Sequence, residues 1–207
     1  MPLDTLVSAF VTLLLVVDPL GLVPTFLAVT EGLPAKARRE VAARASIIAA
    51  FVLAGAAFGG EWLFRTVGIS MPAFRIAGGL LLFSIASEMV FGVRIERQSK
   101  EAEHAIEEHV RNIAAFPLAI PSMAGPGALT ATVLLAGRAG NDPVALALLL
   151  AVTCTVVAIC YVAFLAGERI GRTLGTTGNV VLSRLLGVLL AALAVQYVID
   201  GIREIIR

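Results

Sequence analysis

Asp18 is the residue of this chain best placed to do chemistry. It stands in VVDPLGLVP (16–24), the one ionisable residue in an otherwise uncharged run over 5–30. As a helix this run would put Asp18 about 22 Å from Leu3, near the middle of a span over 3–30. A carboxylate at that depth is costly when charged unless it is paired. Three roles suit it. It could carry a coupling proton, meet a substrate ammonium group, or cap a helix that restarts after a break, with Pro19 in the first helical turn. The second stretch is NIAAFPLAIPSMAGPGALTATVLLAG (112–137), uncharged throughout and interrupted by Pro117, Pro121, Gly125, Pro126 and Gly127. Pro removes a backbone donor and Gly supports a helix poorly, so an apolar span broken here reads as a discontinuous helix. In lipid the freed backbone groups need partners, which puts the break inside the protein or against a polar cavity. A half-helix beginning around Gly125 to Thr130 would offer N–H groups to a carboxylate, with hydroxyls from Ser122, Thr130 and Thr132 nearby. The candidate substrate- and ion-binding residues are therefore Asp18, Pro19, Gly21, Ser122, Gly125, Gly127 and Thr130.

Other chemistries find little support. There is no G-x-S-x-G, no H-E-x-x-H and no second deep carboxylate, so no catalytic residue is assigned and an enzyme is not expected. His104 and His109 lie among Glu103, Glu107 and Glu108, but their i, i+5 separation does not put both imidazoles on one helical face. That segment reads as a solvated connection, and no metal or cofactor is expected. Cys154 and Cys160, six apart in one apolar run, point to different faces and read as small apolar fillers. No ATP-binding motif is present, so the driving force would come from an ion gradient, proton or sodium, or from the substrate's own gradient.

The elements that must position these residues are membrane spans. The chain is 58% apolar and 15% charged, with a mean hydropathy of +0.93. Its apolar material recurs in runs of about 20 residues, the length that crosses a bilayer as a helix. An all-α polytopic membrane protein follows, with spans over 3–30, 45–64, 72–92, 112–137, 144–167 and 180–202. The lipid bilayer is its first partner, and a net charge of +1 without a basic patch gives no reason to expect nucleic acid. The segments 31–44 and 93–111 read as polar connections. Gly55 and Gly59 carry a G-x-x-x-G spacing that allows close helix packing. Arg75, Glu88, Arg184 and Asp200 lie near span ends and read as interfacial charges.

The two halves of the chain repeat at a constant offset. GEWLFRTVG (60–68) and GERIGRTLG (167–175) agree at five of nine positions, and the same offset sets Asp18-Pro19 against Gly125-Pro126. Three spans per half reverse the second half in the membrane. The expected architecture is thus a 3+3 inverted repeat: 1–92, a cytoplasmic connection 93–111, and 112–207, with spans one and four broken near mid-membrane. Connections 31–44, 93–111 and 168–178 hold ten Lys and Arg, and the opposite side holds four. The positive-inside rule puts the first set in the cytoplasm and both termini outside.

The runs VVDPLGLVPTFLAVT (16–30), FRIAGGLLLFSIASEM (74–89), FPLAIPSMAGPGALTAT (116–132) and RLLGVLLAALAVQYVIDGI (184–202) resemble the MarC family of bacterial and archaeal integral membrane proteins. The resemblance covers essentially the whole chain. It implies a six-span protein of the cell (inner) membrane with extracytoplasmic termini and no catalytic residues. It also implies the substrate class, since some members are described as transporters of small neutral amino acids such as glycine and alanine. The reading from sequence is an ion-coupled secondary transporter of a small neutral solute of that kind. The alternatives are a transporter or exporter of another small solute, or a channel or scaffold. The oligomeric state is not legible.

Overall fold

The computed structural model describes residues 3–94, 96–98, 100, 112–140 and 142–206. Their regular elements are all helical: α1 (Leu3–Val17), α2 (Leu22–Val29), α3 (Ala35–Val67), α4 (Met71–Phe91), α5 (Ala114–Met123), α6 (Pro126–Ala139), α7 (Pro143–Leu165) and α8 (Gly167–Ile206). The His104 and His109 cluster lies outside the described residues. Within α3, α4, α7 and α8, four stretches are long and apolar enough to cross a membrane: Ala35–Gly60, Met71–Phe91, Pro143–Leu165 and Thr177–Ile206. Two further pairs, α1 with α2 and α5 with α6, are bent by 45° and 56° at short breaks. Counting each bent pair as one span gives six. The chain is an all-α polytopic membrane protein, broken in the two stretches where the sequence places breaks.

The breaks follow from proline. A residue before Pro is pushed out of the right-handed helical region. Asp18, before Pro19, takes φ +54°, the left-handed conformation that Asp tolerates better than most residues. Phe116 and Ile120, before Pro117 and Pro121, are extended at φ −132°, ψ 129° and φ −127°, ψ 125°. The first half of the fourth span, α5, is consequently a π-type helix interrupted at Phe116 and Ile120 rather than a clean half-helix. The connections are more helical than the sequence implied. Residues 35–44, read as part of a polar connection, form the first turns of α3, where Glu40 and Arg44 pair across one turn at 2.6 Å. The polar stretch 168–178 is helical apart from Gly175 at φ +60°. Gly68, its counterpart in the first half, ends α3 at φ +82°. Both positions use the left-handed freedom of glycine.

The most extensive helix contact is α4 with α8; α3 packs on α7, α6 and α5, α6 also on α4, and α1 on α7 and α6. Lipid gives helices no hydrophobic reason to associate, so close backbone approach must supply the contact. Glycine makes it possible in the α4–α8 seam. A Cβ on Gly79 would lie 2.7 Å from the Ala194 carbonyl oxygen, and one on Gly187 would lie 2.9 Å from Met89 Cβ. Gly55 and Gly59, whose spacing suggested such packing, have nothing within 4 Å of an added Cβ; Gly55 faces outward. Periodicity alone does not say which glycine face meets a neighbour. Gly79→Leu should therefore destabilise the protein by about 1–3 kcal/mol through overpacking. Thermal unfolding in detergent should show this as a clear fall in Tm, while Gly55→Ala leaves Tm nearly unchanged. Equal Tm values for the two variants would contradict the seam.

Large apolar side chains that in a soluble protein would be liabilities, such as Phe51 (75% exposed) and Trp62 (70%), point outward as lipid requires. The buried core draws on all the helices and includes Leu13, Leu22, Leu82, Leu118 and Leu134.

Candidate functional site

The two breaks have different chemistry. At the first, Asp18 closes the gap between α1 and α2. Its carboxylate accepts a hydrogen bond from the Gly21 N–H at 3.1 Å, its carbonyl accepts from the Leu22 N–H at 3.2 Å, and its own N–H donates to the Leu14 carbonyl at 2.9 Å. Gly21 is held so close that a Cβ there would lie 2.1 Å from Asp18 Oδ2. The restart of α2 is thereby capped from within the chain.

The C-terminal end of α1 needs a partner too. The Leu15 carbonyl would ordinarily accept from residue 19, which is Pro and has no N–H. Beside it, the Val16 carbonyl receives a hydrogen bond at 2.9 Å from the guanidinium of Arg94. Arg94 is buried at 6% exposure, and its charge acts on Asp18. It reaches this place because Gly92, at φ +82°, ends α4 and turns the chain back beneath the bundle. The sequence reading put Arg94 in a solvated connection; the structure corrects this. Gln98, one turn later, is equally buried. The signal was present as a glycine at the α4 terminus followed by Arg94, Arg97 and Gln98 at i, i+3, i+4, one polar helical face.

At the second break the restart has no side-chain cap among the described residues. α6 begins with Gly125 as N-cap, without a side-chain hydrogen bond, and Pro126 as first residue. The first intrahelical bond runs from the Leu129 N–H to the Gly125 carbonyl at 3.0 Å. The N–H groups of Gly127 and Ala128 therefore have no intrahelical partner. Both residues border a recess of about 30 Å³ that also touches Arg94, Arg97, Ser122 and Gly125. The recess adjoins a cavity of about 350 Å³ between α4 and the break, reached by Ser84, Ile85, Gln98 and Pro121. Ser122 is buried, lines both spaces, and its hydroxyl has no hydrogen-bond partner among the described residues. Arg97 pairs with Glu88 at 2.9 Å. Uncapped N–H groups at the positive end of a helix, a free hydroxyl and a buried guanidinium make a cradle for an anionic group such as a carboxylate.

The structure thus brings Ser122, Gly125 and Gly127 together on the wall of the recess. Asp18, Pro19 and Gly21 are buried at the other break and are not on that wall. Thr130 is buried against α4, where its methyl group would meet a Cβ on Gly78, and the Thr132 hydroxyl donates to the Ala128 carbonyl at 2.7 Å. Cys160 is buried and Cys154 exposed, both as free thiols. Among the described residues, no group of three or more His, Cys, Asp and Glu could hold a metal ion.

At the opposite end of the bundle, the charges expected at the interface are paired. Arg75 joins Glu204 across α4 and α8, and Arg138 of α6 contacts Asp200 of α8 at 3.2 Å. Arg138 also lies 4.7 Å from the ring centre of Tyr197, which is buried beneath it.

This is a polytopic helical membrane protein with a pocket built at a break in a span. Residues 3–206 match the MarC family of integral membrane proteins, and the chain belongs to that family. It is similar to a UPF0056 membrane protein of Methanocaldococcus jannaschii, at 37% identity over 98% of both chains. It is also similar to one of Pyrococcus abyssi, at 36% identity over 97% of this chain and 96% of the relative. The UPF0056 membrane protein YhcE of Escherichia coli is 33% identical over 95% of this chain and 91% of its own. No solved structure matches the chain.

Proposed function

We propose that this protein is an ion-coupled secondary transporter of small neutral amino acids of the glycine and alanine class. The observation that carries this reading is the uncapped α6 N-terminus opening onto a small recess beside Ser122 and Arg94. The substrate carboxylate sits there, on the N–H groups of Gly127 and Ala128. The coupling ion is a proton carried by Asp18, the one carboxylate among the buried charged residues described. Protonating Asp18 removes the buried negative charge that acts on Arg94, which leaves the guanidinium free to answer the substrate carboxylate and ties ion to solute. The pairs Arg75–Glu204 and Arg138–Asp200, with Tyr197 beneath, close the other end of the path.

The reading includes the 3+3 inverted repeat, with the cytoplasmic side at 31–44 and 93–111 and the termini outside. The breaks at Asp18 and Gly125 stand at the same offset as the left-handed glycines Gly68 and Gly175, which supports it. A second reading is favoured by the lining itself: two arginines border the recess and Asp18 does not, which suits a small anionic solute without an ammonium group.

Uptake of labelled glycine and alanine into proteoliposomes, with proton and sodium gradients imposed separately, tests the proposal. The proton gradient should drive concentrative uptake, and alanine should compete at least tenfold better than propionate. Propionate competing as well as alanine would favour the second reading. Asp18→Asn keeps the capping oxygen and loses the proton. It should insert normally and retain gradient-free exchange, while concentrative uptake falls at least tenfold. Wild-type accumulation in well-folded D18N would leave Asp18 only its capping role, and uptake driven by sodium alone would overturn the proton assignment.

A further inference from the structure

A second cavity, of about 700 Å³, lies where the start of α3 meets the start of α8 and the end of α7. It shares no residue with the pocket at the break. Its rim carries Lys36, Arg38, Arg39 and Arg169 against one carboxylate, Glu168, a net charge of three positive. Arg38 is engaged by Glu168 and by the Thr30 carbonyl at 3.2 Å, which fixes its guanidinium at the rim. The first turns of α3 and α8 both border the space, and each adds the partial positive charge of a helix N-terminus.

The floor has the opposite character. Phe26 and Phe164 stack there with ring centres 4.6 Å apart, and Leu27, Val162 and Leu165 continue the apolar surface. Val162 (60% exposed) and Leu165 (42%) end a membrane span and face outward, so the floor runs into the lipid-facing surface. A cationic rim at the membrane surface, continuous with an apolar wall below it, matches a molecule with a phosphate head and an acyl tail. Guanidinium and ammonium groups recognise phosphate oxygens, and basic pockets between spans suit anionic head groups. A free inorganic anion would use the rim and leave the apolar floor without a role.

We propose that this groove is a binding site for an anionic phospholipid. The phosphate is held by Lys36, Arg39 and Arg169, and an acyl chain lies over Leu27, Val162 and Leu165. The site stands apart from the transport reading.

Native mass spectrometry of the full chain in detergent, after delipidation and addition of phosphatidylglycerol, cardiolipin or phosphatidylcholine, tests it. Wild-type protein should retain the anionic lipids at least tenfold more than phosphatidylcholine. K36A/R39A/R169A, which alters exposed side chains only, should reduce that retention about tenfold. R44A/R172A removes two cations outside the groove and should leave it unchanged. A thermal shift gives the second readout: phosphatidylglycerol should raise Tm in the wild type and not in the triple variant. Equal retention in the wild type and the triple variant, or equal loss in R44A/R172A, would overturn the site. Inorganic phosphate reproducing the full thermal shift would make it an anion site and overturn the lipid assignment.

Discussion

Arg94→Met should destabilise the protein by about 1–3 kcal/mol, the cost of leaving the buried Val16 carbonyl without its donor, with the buried cation that acts on Asp18 lost as well. Arg94 and Asp18 are 6% and 3% exposed, so solvent screens neither. Methionine preserves much of the side-chain volume, which leaves lost charge and lost hydrogen bonds as the cause. The substitution leaves the Val16 carbonyl, which accepts from Arg94 at 2.9 Å, without that donor, and removes a buried positive charge that acts on Asp18, whose carboxylate keeps the Gly21 N–H. Asp18→Asn alone should cost less, because Asn can accept from the Gly21 N–H and tolerates the same left-handed backbone. The two changes should not add. With the charge at 18 removed, R94M strands only the Val16 carbonyl, so D18N/R94M should be more stable than R94M alone. Urea or thermal unfolding of the four proteins in one detergent measures the cycle, with a coupling of about 1–3 kcal/mol expected. Strict additivity would mean that Arg94 serves the α1 carbonyl without answering the charge on Asp18.

Gly125→Val should abolish uptake, with a loss of at least tenfold, while the chain still inserts. The backbone at Gly125 is extended, φ −77° and ψ 178°, a conformation open to any residue. Glycine is required there for space. A Cβ would lie 2.2 Å from the Pro121 carbonyl oxygen, which is backbone and cannot swing aside. Relief must come from moving α5 against α6, and that shifts the N–H groups of Gly127 and Ala128 away from Ser122. The stability cost should stay near the roughly 1–3 kcal/mol typical of overpacking, well below the effect on transport. A uniform tenfold loss in Gly125→Val with unchanged substrate binding, measured by calorimetry, would place the defect outside the recess. Wild-type uptake would remove the second break from the substrate path.

The breaks were legible because their cause is local. Pro19, Pro117, Pro121 and Pro126 act on their own backbone and on the residue before them, so reading the sequence located both interruptions closely. Helical connections such as 35–44 were harder to read. Their polar composition resembles a loop, yet 35–44 runs without a break into the apolar part of α3. Asp18 was visible as a deep carboxylate, but the sequence leaves open capping, proton carriage and substrate contact. Its hydrogen bonds to Gly21 and Leu22 are short-range and consistent with the cap.

Composition and periodicity by themselves determined that this chain is a helical membrane protein with two apolar stretches interrupted by proline and glycine. Those properties depend on residues near one another in sequence and on their solvent, lipid. The tertiary structure decided which helices touch, so that Gly79 and Gly187 became packing glycines and Gly55 did not. It also decided that the second break stays uncapped while the first is closed. Above all it decided the place of Arg94, far along the chain from the Val16 carbonyl it serves. In sequence Arg94 is one cation among several in a polar segment. Beyond the left-handed Gly92 that ends α4, Arg94 lies buried and gives the Val16 carbonyl at the end of α1 a donor that its own helix does not supply.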